Sequence, residues 1–212
     1  MPKLPSSDRW LRFAIKPAVF AACLVPFTLL AWGAAVGDLG ANPLERVTDV
    51  TGGWGLRLLL ITLAVAPLRR LTGWNRLLNL RRMLGLFAFF YVTLHFLAWA
   101  WLDQQLSWGN IFSDIAKRPF ITVGFAAWLL LVPLALTSTR GMMRRLGRHW
   151  QRLHQAIYAV GALGVLHYVW LVKADLLEPL IYAAVLAILL AVRWRPQLLT
   201  RFAWGGRPIN AR

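Results

Sequence analysis

Met-Leu-Gly-Leu-Phe-Ala-Phe-Phe-Tyr-Val-Thr-Leu-His-Phe-Leu-Ala-Trp-Ala-Trp-Leu, residues 83–102, runs for twenty positions without a charge and carries one histidine, His95. At about 1.5 Å per helical residue it is about 30 Å long, the thickness of a bilayer's hydrocarbon core. Three more uncharged stretches have comparable length, at 17–37, 119–139 and 153–172. Two are weaker: 50–68 is interrupted by Arg57 and closed by Arg69 and Arg70, and 179–192 is short but closed by Arg193. Glycine and proline inside these stretches are tolerated more readily in membrane helices than in soluble ones. The expected fold is an all-α integral membrane protein, a six-helix transmembrane bundle.

Composition agrees with that reading. Of 212 residues 58% are apolar and 15% charged, whereas soluble domains carry about 25% charged residues. The lone cysteine, Cys23, lies in an apolar run and excludes a disulfide framework, a CxxC metal pair and a CxxCH attachment motif. Net charge is +16, which by itself would suggest nucleic acid. Its distribution argues for topology instead. Nineteen of the twenty-four basic residues fall on one side if both termini are cytoplasmic, and seven of the eight acids fall on the other. That is the positive-inside pattern, so the orientation is N-in/C-in and nucleic acid is not a partner. The divisions are a basic cytoplasmic N-terminus at 1–16, a six-span domain at 17–195 and a short basic tail at 196–212. The soluble parts, the loops at 38–49 and 103–118 and the short tail, are too short to form a separate nucleotide-binding domain.

Ionisable residues inside membrane spans are costly and mark function. His95 lies seven residues before Leu102 and His167 five before Val172, so they sit at roughly 10 Å and 8 Å from the same outer surface. Two imidazoles at matched depth on neighbouring helices suit one metal centre, and haem b is the natural group for a bundle interior. The competing reading makes both histidines polar bundle residues. Arg57 lies roughly 17 Å from the inner boundary. It either pairs with a haem propionate or snorkels to the outer interface. Near the inner end, His154 stands among Arg81, Arg82 and Arg152. These cationic donors suit an anionic cofactor or a quinol headgroup, and equally the interfacial charge of any inner loop.

Several segments carry a resemblance: Arg81-Arg-Met-Leu-Gly-Leu, Thr93-Leu-His95, Leu136-Thr-Ser-Thr, Arg145-Leu-Gly and Trp150-Gln-Arg-Leu-His154-Gln-Ala-Ile-Tyr158. Together they resemble the ferric-reductase-like transmembrane superfamily, and within it the haem-binding membrane subunits of bacterial periplasmic protein-methionine-sulfoxide reductase systems. The resemblance implies a multi-pass inner-membrane electron-transfer subunit, not the catalytic reductase, with haem b and FMN as cofactors. It implies that electrons come from the respiratory quinone pool and pass to a periplasmic molybdopterin-containing reductase that repairs oxidised methionine. His154, Arg81, Arg82 and Arg152 then form an inner FMN or quinol site. Two departures from the wider superfamily stand out. The chain lacks a fused FAD/NAD(P)H domain, and Arg81 occupies the place of a fourth haem histidine. A ferric- or quinone-reductase-like cytochrome b with another partner, and a non-redox membrane protein, remain as alternatives.

Overall fold

The computed structural model describes residues 10–172 and 175–194, with Leu11 and Arg12 described by their backbone alone. Lys3, Arg9, Lys173, Arg195 and the tail at 196–212 lie outside the described residues. Every regular element among the described residues is helical. A π-helical turn, Leu11–Ile15, leads into α1 (Lys16–Val36). Helix α2 (Pro43–Thr72) returns, and α3 (Leu78–Leu97) runs on through a π-helical segment, Ala98–Asp103. A short helix, α4 (Trp108–Lys117), precedes α5 (Pro119–Leu136). Two seven-residue helices, α6 (Arg140–Leu146) and α7 (Arg148–His154), lead to α8 (Ala156–Leu171) and α9 (Leu177–Trp194).

Five helical stretches are long and apolar enough to cross a membrane: Phe13–Val36, Pro43–Thr72, Asn75–Asp103, Pro119–Leu136 and Leu177–Trp194. The sixth expected span differs. Helix α8 has sixteen residues and covers about 24 Å. A tight turn at Gln155, whose N–H bonds the Arg152 carbonyl at 3.2 Å, separates it from α7. Gln155 itself keeps helical dihedrals, so the chain turns helically from Arg148 to Leu171.

Packing follows the burial of side chains. Leu56, Leu59, Leu60 and Leu63 of α2 meet Leu84, Ala88 and Tyr91 of α3, with Leu131 of α5 and Val160 of α8 completing the centre. The outward faces carry Phe20, Leu29, Trp32, Leu130 and Ile188, all exposed, as expected where the surrounding solvent is hydrocarbon. Helix α1 buries little beyond Cys23 and Pro26. Its anchor is the fully buried Tyr91, whose hydroxyl donates to the Cys23 carbonyl at 2.7 Å and accepts from the Phe27 N–H at 3.0 Å.

The helix pairs α2–α3 and α5–α8 each place the beginning of the first helix beside the end of the second. Thr48 and Phe120, early in α2 and α5, therefore lie level with His95 and His167, late in α3 and α8. Depth matching, inferred from counting residues, is realised in this way.

Candidate metal centre

His95 and His167 face each other across the bundle with ring centroids 6.2 Å apart and planes at 78°. His95 Nδ1 lies 3.0 Å from the Thr48 carbonyl oxygen, and His167 Nδ1 lies 2.7 Å from that of Phe120. A carbonyl oxygen only accepts, so each Nδ1 carries the proton and donates. In a neutral imidazole the lone pair then resides on Nε2, the tautomer a metal ligand requires. A backbone carbonyl holding the second ring nitrogen is the usual outer support of a ligating histidine. Two imidazoles bound at about 2 Å to one metal have their ring centres about 6 Å apart. The observed separation agrees.

Both rings rest against glycine. A Cβ built on Gly52 would fall 2.9 Å from His95 Nδ1, and one on Gly124 would fall 2.7 Å from His167 Nδ1. Any side chain at either place would occupy the space the imidazole fills. The two halves are alike in register: a residue whose carbonyl accepts from the imidazole, a glycine four positions on, and a histidine 47 positions after the carbonyl. Among the described residues no group of three or more His, Cys, Asp or Glu gathers as a metal cluster. The pair thus suits a group that brings its own equatorial ligands and needs two axial nitrogens, as a porphyrin iron does. By contrast, the missing side chain of Gly161 is met by Leu63 and Leu186 at 3.3 Å, and Gly164 faces Leu56; those glycines serve close helix packing.

Arg57 has an acidic partner within the chain. Its Nη2 lies 3.1 Å from Glu178 Oε1 and its Nε donates to the Tyr182 hydroxyl at 2.8 Å. Tyr168, next to His167, donates to the other Glu178 oxygen at 3.0 Å. The network ties α2, α8 and α9 together beside the histidine pair, and it accounts for a charge at this depth.

At the end of α7, the His154 ring stacks on Trp150 with centroids 3.9 Å apart, and its Nδ1 meets the Trp150 carbonyl at 3.1 Å. Ser138 Oγ lies 3.4 Å from Nε2. Trp150 is fixed in turn by donating from its indole to the Thr137 carbonyl at 3.0 Å. Arg81 is close enough to His154 to act on it electrostatically. Arg82 is turned elsewhere, into a groove of about 560 Å³ between α1 and α3, with Lys16, Asn79 and Phe87. Arg152 and His149 are exposed. Of the four residues expected here, Arg81 lies near enough to His154 for its charge to act on that ring. Arg82 belongs to a separate surface.

Sequence reasoning missed Gly52 and the carbonyl groups of Thr48 and Phe120, gave Ser138 and Trp150 no part in the site although both lie in its motifs, and took Gly124 only as a tolerated glycine. The carbonyls have no side-chain signature at all. The glycines had one signal, their shared interval of 43 residues to a span histidine.

Comparison with known proteins identifies the family of the chain. A family model described as the ferric reductase like transmembrane component matches residues 51–165. The protein-methionine-sulfoxide reductase heme-binding subunit MsrQ of Xanthomonas campestris pv. campestris (strain 8004) is 56% identical over 188 residues, covering 86% of this chain and 85% of its own length. The MsrQ subunit of Rhodospirillum rubrum is 57% identical over 185 residues, covering 87% and 89% respectively. No solved structure matches the chain.

Proposed function

Because the chain belongs to the ferric-reductase-like transmembrane family, we propose that it is the haem b membrane subunit of a protein-methionine-sulfoxide reductase. It is a multi-pass bacterial membrane protein. In this reading it lies in the inner membrane with six spans and both termini in the cytoplasm, α8 being the sixth. It passes electrons from respiratory quinol to a periplasmic molybdopterin-containing catalytic subunit. A haem b bound by this chain would supply reversible one-electron chemistry.

The observation that carries the proposal is the facing pair of imidazoles, His95 and His167, each held by a carbonyl and seated on a glycine. The two residues would hold the haem through Nε2, the ring nitrogen left free by the Nδ1–carbonyl bonds, and the group would supply one-electron relay. Thr48 and Phe120 fix the ring tautomer, and Gly52 and Gly124 leave room for it. Arg57 keeps Nη1 free of its bonds to Glu178 and Tyr182, and in this reading that nitrogen faces a propionate. His154, Arg81, Ser138 and the Trp150 plane form the inner site, where an aromatic anionic group such as FMN, or a quinol headgroup, is bound. Arg82 and Arg152 contribute charge at its margin.

The overall balance is simple. Quinol releases two electrons and two protons, and a sulfoxide takes up two of each to give the thioether and water. The test uses the purified protein with a reduced water-soluble quinol, followed by stopped-flow absorbance. Quinol reduces the haem of the wild type, and His154→Ala slows that step by at least tenfold while haem content is retained. Haem that quinol leaves oxidised in the wild type would refute the donor assignment. Unchanged kinetics in His154→Ala would remove that residue from the entry site.

A further inference from the structure

Trp99 is the one residue among those described whose side-chain polar atom is fully buried without a hydrogen-bond partner: its indole Nε1 meets no acceptor. An indole N–H only donates, and folded proteins rarely leave such a donor unmet. The residue follows His95 by four positions on the same helix, which places it about 6 Å outward along the axis. It also lies in the π-helical segment Ala98–Asp103, which begins three residues after His95. Such wide turns recur at functional sites, where they re-aim side chains that a regular helix would point elsewhere. The ring is wedged in the outer aromatic layer, with the Phe96 ring at 5.9 Å, and Phe96 in turn stacks on Trp128 at 4.3 Å. The corresponding position in the other half of the site, 72 residues on, is Leu171, so only the His95 half offers a donor here.

We propose that Trp99 Nε1 donates a hydrogen bond to a propionate carboxylate of the haem held by His95 and His167. This rests on the haem reading above. A haem b carries its hydrogen-bond acceptors at its two propionates, and a donor one turn beyond an axial ligand, towards the aqueous end of the span, is placed to meet one. The contact fixes which edge of the porphyrin faces outward and withdraws negative charge from the iron's surroundings. Trp99 is therefore a binding and positioning residue, without contact to the reacting atom.

The test compares Trp99→Phe, which keeps an aromatic ring and removes the donor, with Trp99→His, which keeps a ring N–H. Trp101→Phe, at an exposed tryptophan, serves as the control. The readouts are haem content, the haem midpoint potential by spectroelectrochemistry, and the propionate bending band in resonance Raman spectra. The expected result is a lower midpoint potential and a shifted propionate band in Trp99→Phe, or loss of haem from it. Trp99→His recovers these properties at least in part, and the control matches the wild type. Wild-type potential and band in Trp99→Phe would overturn the proposal. Equal disturbance in Trp99→Phe and Trp99→His would also overturn it, because ring packing alone would then explain the effect. The haem reading is judged separately, since its failure would appear as wild-type low-spin haem in His95→Ala or His167→Ala whatever the Trp99 variants do.

Discussion

Gly124 and Gly52 decide where two imidazoles stand. A methyl group on Gly124 would approach His167 Nδ1 to 2.7 Å, and one on Gly52 would approach His95 Nδ1 to 2.9 Å, and the ring must leave its carbonyl to relieve either contact. Loss of an outer support of this kind costs roughly 10- to 100-fold in metal affinity. Gly124→Ala and Gly52→Ala are therefore expected to purify with at least tenfold less haem per protein, measured as pyridine haemochrome. Gly164→Ala, whose methyl would meet Leu56 at an ordinary 3.6 Å, is expected to retain wild-type haem. The histidines were legible because an ionisable side chain inside an apolar run has to be explained locally. The glycines and carbonyls were not, because each pairing closes over 43 or 47 residues and involves groups common to every helix.

Among the elements, α1 shows how a neighbour repairs a broken ladder. Pro26 has no N–H and its ring presses against the carbonyl one turn back, which opens the helix. The Cys23 carbonyl and Phe27 N–H would bond each other in an unbroken helix, and the Tyr91 hydroxyl stands between them. Tyr91→Phe leaves both groups without that partner in an apolar core, at a cost of about 1–3 kcal/mol. A lower unfolding temperature in detergent, with the haem spectrum unchanged below it, is the expected result of a thermal melt. Spans themselves were legible from hydropathy, their ends less so. Helix α2 starts at Pro43 although its apolar run begins at Val50. Asn42 caps it by accepting from the Glu45 N–H at 3.3 Å, and the polar first turns hide the start from any hydropathy window. At α8 the reverse holds, since an uncharged stretch includes the turn at Gln155.

For the whole molecule, the bundle shows apolar side chains on its outward faces as well as in its core, and most of the described basic residues cluster at the same connections and helix ends. Arg69, Arg70 and Arg81 flank the α2–α3 connection, Arg140 to Arg152 the α5–α8 connection, and Arg193 closes α9. Reporter fusions at Asp114 and after Arg212 are expected to read periplasmic and cytoplasmic, and the opposite result would put the histidine pair on the inner side. The all-helical, multi-span architecture was readable from hydropathy because apolar runs act along the chain. Which inner arginine meets His154 was not, because Arg81 and Arg82 are consecutive and the helix turns them towards different neighbours. The central claim is that one haem is held between α3 and α8 by two imidazoles. Its most direct measurement is the electron paramagnetic resonance and reduced-minus-oxidised spectrum of wild type, His95→Ala, His167→Ala and His149→Ala, purified alike. The account predicts a low-spin haem in the wild type and in His149→Ala and its loss in the other two; a low-spin haem at wild-type occupancy in His95→Ala or His167→Ala would contradict it.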